Sequence, residues 1–502
     1  MYSIGYDIGS SSIKAALVET ATGRVLARVQ APAEEMSMNA PEPGWAEQNP
    51  EDWFNYVCEA TKKILAGTQG KGGNPIQAGD IKSVGIGYQM HGLVLVDDNF
   101  EVVRPSIIWS DGRAVATGER AFTGIGADVC LSHCLNSPGN FTAAKLKWVA
   151  DNEPDNYARA RYAMLPGDYI ALRLSGTPTT TVTGLSEGVF WDFRKNKLAD
   201  LVIDEMKLDA AKLPDRVPAV GHQATVSEAG AEASGLAPGT VIGYRAGDQP
   251  NNALSLNVIR PGEVAATAGT SGVVYGVTDR MAFDPGQRVN SFAHVNHDGD
   301  SSPRIGILLC INGSGIAHRW IKQQVCEADT SYGQMEAMAA TVPIGADGLH
   351  FLPFGNGPER IFQNKDIGAH LLGMDFNRHT RAHVVRAGIE GVAFSFVYGM
   401  RILRELGVDL STIRVGNDNM FQSDVFSGTI ATLTGATIEV HNTTGAVGAA
   451  LAAAVAVGAA ESLDAAVGRQ EVIATVTGKD VDREALEQAY ARWESSLRER
   501  LE

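Results

Sequence analysis

The chain opens with an apolar run, a turn of glycine and serine, and a second apolar run, and it repeats that device in its second half. Residues 2–7 alternate like a strand, Gly9-Ser10-Ser11 supplies a turn, and residues 13–19 are apolar again. Residues 263–268, the turn Gly269-Thr270-Ser271-Gly272 and residues 273–277 repeat the pattern. Strand, tight small-residue turn, strand is a hairpin signal. Two such openings constrain the fold to two related units with a cleft between them. The division is expected at residues 245 and 246, which gives units of 1–245 and 246–502. Between the hairpins, strands alternate with helices. Residues 51–65 carry Trp53, Phe54, Val57, Ala60, Ile64 and Leu65 on one helical face, behind Asn49 and Pro50 as cap and first turn. Residues 81–87 are a short apolar strand, and this alternation predicts an α/β protein. Residues 446–460, rich in alanine, predict a buried helix in close contact with its neighbours, and residues 482–501 predict a charged amphipathic helix.

Composition narrows the function classes. The chain of 502 residues has 42 Lys and Arg against 58 Asp and Glu, a net charge of −16. An acidic surface argues against nucleic-acid and membrane-surface partners. The longest apolar run is too short and too small-residued to span a bilayer. Asp7 interrupts the first apolar run and no basic stretch precedes it, so a secretory leader is not expected. Five cysteines, an odd number with no CxxC pair, argue against a disulfide framework and for a reducing, cytoplasmic setting. Cys130 and Cys134 have no second ligand pair at zinc spacing. The 55 glycines, about 11% against a usual 7%, imply tight turns or close backbone approach to a ligand.

Neither a Walker P-loop nor a complete GxGxxG after a strand occurs. The two hairpin turns remain. Consecutive N–H groups in such turns can hold an anion, and the hydroxyls of Ser10, Ser11, Thr270 and Ser271 add donors, although each can equally be a plain hairpin. Asp7, at a strand end, is placed to hold Mg²⁺. Asp248, in Gly247-Asp248-Gln249-Pro250, suits a general base or a helix N-cap. Gln89-Met90-His91-Gly92 follows a strand and suits a small polyol, or a structural histidine. Trp109-Ser110-Asp111-Gly112-Arg113 suits a wall of that site, or a structural Asp–Arg pair at a helix start. Gly416-Asn417-Asp418-Asn419 and Gly445-Ala446-Val447-Gly448 are strand-to-helix junctions of the kind that accept a nucleoside, or plain turns.

Taken together, Asp7 to Lys14, Gln89 to Gly92, Trp109 to Arg113, Gly247-Asp248 and Gly269 to Gly272 resemble the FGGY carbohydrate kinases, and within them the xylulokinases. Gly139-Asn140-Phe141-Thr142 with Lys145 and Trp148, Leu165 to Tyr169, and Phe351 to Phe354 follow in the same order. The resemblance implies an actin-like fold, two ribonuclease-H-like domains flanking a central cleft. It implies ATP and Mg²⁺ as cofactors, and phosphoryl transfer to O5 of D-xylulose. By the same resemblance Asp248 is the catalytic base, and Gln89, Met90, His91, Trp109, Asp111 and Gln249 lie on the sugar side. Asp7, Gly9, Ser10, Ser11 and Lys14 belong to the first phosphate loop, and Gly269, Thr270 and Ser271 to the second. Gly416, Asn417 and Gly445 lie near adenosine, and Asp7 and Asp248 serve the metal. The adenosine motif departs from the usual Gly-Gly-Gly-Ala, and Gln249-Pro250 replaces a more usual Asn-Ala. Glycerol kinases carry Arg-Glu where this chain has Met90-His91, which argues against glycerol. An aspartate with the ordinary pKa of about 3.9 is ionised at neutral pH, so no tuning of Asp248 is expected. The alternatives are a family kinase for another sugar or polyol (ribulose or a ketohexose), and an idle actin-like ATPase or sugar sensor. The family habit is a homodimer, though no residue pattern here demands one.

Overall fold

Two mixed sheets organise the chain. In a computed structural model, which describes residues 1–70, 73–299 and 301–502, the first sheet begins with the antiparallel strands β1 (Tyr2–Ile8), β2 (Ile13–Glu19) and β3 (Val25–Ala31). β4 (Ile81–Tyr88) runs parallel to β1, β5 (Val220–Thr225) is an edge, and β6 (Val241–Gly247) runs parallel to β4. The order is β5-β6-β4-β1-β2-β3. Helix α1 (Pro50–Gly67) starts behind Asn49, whose side chain accepts from the Glu51 N–H, and it buries Trp53, Phe54, Val57, Ala60 and Ile64. Two short helices complete what positions the site, α2 (Val182–Glu187) and α3 (Asp248–Ser255), which follows β6 directly.

The second sheet contains β7 (Val264–Ala268), β8 (Gly272–Thr278), β9 (Asn290–Ala293), β10 (Ile305–Ile311), β11 (Thr412–Gly416), β12 (Thr437–His441) and β13 (Val472–Val476), in the order β9-β10-β8-β7-β11-β12-β13. It is joined by α4 (Gly315–Gln324), α5 (Tyr332–Ala340), α6 (Arg381–Glu405), α7 (Gly445–Val455) and α8 (Asp480–Leu501). Alternation splits β10 between two cores. Ile307, Leu309 and Ile311 join the cluster around α6, whereas Leu308 and Cys310 join a cluster that includes Leu93, Phe141 and Phe190 of the first lobe. This architecture is the two-lobed α/β fold expected from the sequence.

The alanine-rich helix α7 belongs to the second half in sequence but lies flush on the first sheet. A Cβ at Gly5 would sit 1.9 Å from the Ala446 carbonyl oxygen, one at Gly85 2.1 Å from that of Ala449, and one at Gly243 2.8 Å from that of Ala453. Three glycines on neighbouring strands therefore let the helix approach to backbone contact. The helix stops at Val455 rather than at residue 460, because the chain turns through Gly458 at φ 68°. The lobes are also stitched along β9. The Asn136 carboxamide accepts from the Ser291 N–H at 3.0 Å, and the Ser186 hydroxyl accepts from the Ala293 N–H at 3.0 Å.

Candidate active site in the cleft

Both hairpin turns are held by hydrogen bonds to neighbouring segments, the second to the start of a helix. In the first, Asp7 pairs with Lys14 in register, and the Gly9 N–H donates to the Ser12 carbonyl at 3.1 Å. Gln48 Nε2 donates to the Ser10 carbonyl at 2.7 Å, and the Met36 N–H to that of Ser11 at 2.8 Å. In the second, the Gly269 and Thr270 carbonyls accept from the Gly315 and Ile316 N–H groups at 2.9 and 3.0 Å, which seats the turn on the start of α4. A Cβ on Gly315 would lie 2.1 Å from the Gly269 oxygen, so that contact needs glycine. The bases of both hairpins line one cavity of about 230 Å³. Asp7 and Lys14 come from the first, Thr267 and Val273 from the second, with Gln249, Asn252, Gly416 and Gly445 between them. Ser11 is exposed and Ser10 half-buried at the tip of the first turn.

Asp248 stands at the junction of β6 and α3, next to Gln249, which lines this cavity. Gly247 is the N-cap and Asp248 the first helical residue, so its carboxylate is not the cap. The glycine is required, since a Cβ there would lie 2.3 Å from Glu187 Oε2 and 2.5 Å from Met90 Cγ. Burial, and then the Asp7 carboxylate, push the Asp248 pKa up to about 7, while the Gln249 backbone and side chain pull it back. The expectation of an ordinary, untuned aspartate is therefore corrected. Asp7 is likewise raised by burial, offset by Lys14. Gly445 completes the corner, for a Cβ there would lie 3.0 Å from Asp7 Oδ2 and 2.7 Å from Asn252 Oδ1. Asn251 Nδ2 donates to the Gly445 carbonyl at 3.0 Å. Among the described residues no cluster of three or more His, Cys, Asp or Glu could hold a metal by itself. A buried carboxylate whose ionisation is made costlier by a second one fits an ion that takes one or two protein oxygens and draws the rest from phosphates and water.

The expected sugar-side residues divide. His91 stands at φ 62°, its N–H donating to Glu187 Oε1 at 3.3 Å and its Nδ1 3.0 Å from the Glu187 carbonyl oxygen. Its ring contacts Phe141 at 4.3 Å and Phe292, from the second lobe, at 5.4 Å. Burial, reinforced by Lys145, lowers the His91 pKa to about 3, so the ring is neutral. Trp109 is 54% exposed, and its indole N–H donates to Ser10 Oγ at 3.4 Å, which ties this wall to the first turn. Gln249 lines the cavity beside Asp248. Met90 is buried as a wall under Gly247. Gln89 is 2% exposed, with both amide atoms buried and without a protein partner. One residue is corrected. Asp111 is fully buried, and its carboxylate is taken by the Arg113 guanidinium at 2.7 to 2.9 Å and by the Ala46 N–H at 2.6 Å. It is the structural Asp–Arg pair.

Glu187, Phe292 and Cys310 belong to the site without any sequence motif to mark them. Glu187 is buried, its pKa raised by burial, and Asp248 and Asp168 act on it. Lys145, fully buried, donates to the His91 and Ile108 carbonyls at 2.9 and 3.0 Å, and burial lowers its pKa to about 7.

A second cavity, of about 530 Å³, adjoins the second turn. It is lined by Gly269, Thr270, the starts of α4 and α5 including His318, Arg319 and Tyr332, and residues 419–423. Asn419, at φ 59°, accepts from the Ala268 N–H at 3.2 Å and donates to Thr267 Oγ1 at 3.2 Å. Gly416 and Gly445 line the smaller cavity with Asp7 rather than this one, and Asn417 is exposed at the surface. Residues 2–255 match the N-terminal domain model of the FGGY family of carbohydrate kinases, and residues 264–457 match its C-terminal domain model.

The chain is an FGGY carbohydrate kinase. Among relatives of this FGGY kinase, the xylulose kinase of Bacillus subtilis (strain 168) is 28% identical over 464 residues, 90% of this chain and 88% of that one. The crystal structure of xylulose kinase from Rhodospirillum rubrum superposes with a TM-score of 0.87 at 25% identity, covering 99% of this chain and 98% of that one. A gluconate kinase from Lactobacillus acidophilus shares the fold, with a TM-score of 0.87 at 20% identity over 100% of this chain and 98% of that one. Among the described residues of this FGGY kinase, no helix is long and apolar enough to cross a membrane.

Proposed function

We propose that this kinase transfers the γ-phosphoryl group of ATP to O5 of D-xylulose, with Asp248 as general base. The observation that carries the reading is that Asp248, whose pKa the Asp7 carboxylate raises, stands next to Gln249, which lines a cavity together with Asp7 and the bases of both hairpins. The xylulose kinases among its relatives support the choice of sugar. Phosphoryl transfer needs alignment and charge neutralisation more than covalent chemistry. The turns at Gly9 to Ser11 and Gly269 to Ser271 hold the phosphate oxygens, and the 530 Å³ cavity beside Thr270 takes the nucleoside. Asp7 and Asp248 would hold Mg²⁺, which would supply neutralising charge to the phosphates. Asp248 orients the sugar hydroxyl and accepts its proton, Gln249 steadies that carboxylate, and neutral His91 hydrogen-bonds a sugar hydroxyl. Trp109 closes the outer wall. Residues 1–245 thus carry the first loop and most of the sugar side, and residues 246–502 carry the base, the second loop and the nucleoside site. The setting is a cytoplasm.

An ADP-release assay with D-xylulose, D-ribulose, D-fructose, glycerol and no acceptor tests the reading. Turnover is expected with D-xylulose above all others. A different preferred acceptor overturns the sugar, and sugar-independent hydrolysis alone overturns the kinase mechanism.

A further inference from the structure

Glu187 is a buried carboxyl with no cation to pair with, placed between two residues of the sugar side. It ends α2 and is 1% exposed. Oε1 accepts from the His91 N–H at 3.3 Å. Oε2 lies against the end of β6, since a Cβ on Gly247 would come within 2.3 Å of it and within 2.5 Å of Met90 Cγ. This oxygen therefore stands beside Met90, at the residue before Asp248, and among the described residues it has no hydrogen bond to protein. The basic groups nearby are committed elsewhere. Lys145 donates to the His91 and Ile108 carbonyls at 2.9 and 3.0 Å, and Arg245 Nε stands 3.0 Å from Asp168 Oδ1.

A polar oxygen held away from water without a partner is destabilising, and a ligand hydroxyl relieves it. A carboxyl buried without a cation is most stable as the neutral acid, which both donates and accepts. His91 complements it. Its Nδ1 faces the Glu187 carbonyl oxygen at 3.0 Å and so carries the ring hydrogen, which leaves Nε2 an acceptor. The stereochemistry of ketopentoses makes the position of such a contact readable. D-Xylulose and L-ribulose differ only in configuration at C4, and D-xylulose and D-ribulose only at C3. With O5 at Asp248, the next hydroxyl along the sugar is O4, and Glu187 Oε2 is the unpartnered oxygen at the residue before Asp248.

We propose that Glu187 is a specificity-determining residue that holds the acceptor hydroxyl next to the reacting one, so that the site reads configuration at C4 through Glu187 and at C3 through other groups. The placement of O5 at Asp248 rests on the function proposed above. The test is calorimetric titration of the full chain and of E187L with the three ketopentoses and with ADP, with ADP release measured alongside. Wild type is expected to bind D-xylulose about tenfold or more tighter than L-ribulose. E187L is expected to bring that ratio to about threefold or less, while the ratio of D-xylulose to D-ribulose stays within about twofold of its wild-type value. ADP affinity within about twofold of wild type shows that the variant is folded, and E187A replaces E187L if it is not. Were Glu187 only a prop for His91, its loss would weaken all three ketopentoses alike or move both ratios together. Either result overturns the proposal, as does a wild type with no preference at C4. If wild type phosphorylates none of the three, the proposed reaction falls, while the titrations still decide the role of Glu187.

Discussion

The Asp7 carboxylate, at the end of β1, raises the pKa of Asp248 at the start of α3, so two strands of the first sheet, β1 and β6, end in a pair of like charges. Such a pair is unstable without a cation and well suited to one. Asp248→Asn is expected to lower kcat by about 100-fold or more, with little change in sugar KM. A carboxyl whose folded pKa lies above its unfolded value loses stability as pH rises, here between about 4 and 7. The same variant should therefore melt higher than wild type at pH 8 and not at pH 4. Thermal unfolding at both values checks this, and an unchanged difference between them would count against the charge pair.

Mg²⁺ alone should raise the melting temperature of wild type, more at pH 8 than at pH 5.5, because both carboxylates are then ionised. Asp7→Asn should remove most of that increment. Titrating MgCl₂ against the melting temperature, without nucleotide, reads it directly.

His91 has a folded pKa of about 3, below the ordinary 6.5. The unfolded chain binds the extra proton between these values, so stability falls as pH drops below about 6.5. His91→Asn should flatten part of that acid-side loss in a urea titration. It should also raise sugar KM by about tenfold with ATP KM unchanged, since a ground-state contact is removed. In wild type, sugar KM should not follow a histidine titration between pH 5.5 and 8.

Gly5→Ala places a methyl group 1.9 Å from the Ala446 carbonyl oxygen, and backbone cannot swing aside as a side chain can. A cost of about 1–3 kcal/mol or more is expected. Gly67→Ala at the end of α1, where nothing lies within 4 Å, is the control and should shift stability by about 0.5 kcal/mol or less. Chemical denaturation of the two variants separates steric approach from glycine content.

The hairpins, the strand ends and Asp248 were legible because their signals are local: alternation, small-residue turns, a carboxylate after a strand. Glu187 was not, because it meets His91 across a separation of 96 residues, a contact made by folding alone. Phe292 and Cys310 are ordinary strand residues until the second sheet turns one face to the first lobe. Asp111 illustrates the opposite error. A carboxylate two residues from an arginine satisfied its charge locally, and the motif around it looked like a ligand contact. The glycine excess pointed to tight turns or close approach to a ligand, whereas at Gly5, Gly85 and Gly243 the approaching partner is α7, from the far end of the chain.

That placement of α7 has a consequence for biosynthesis. Until residues 445–455 emerge from the ribosome, the face of β1, β4 and β6 that carries Gly5, Gly85 and Gly243 has no cover. The amino-terminal half, although it contains a complete sheet, therefore completes the packing of that sheet only with a segment made when nearly the whole chain has been synthesised.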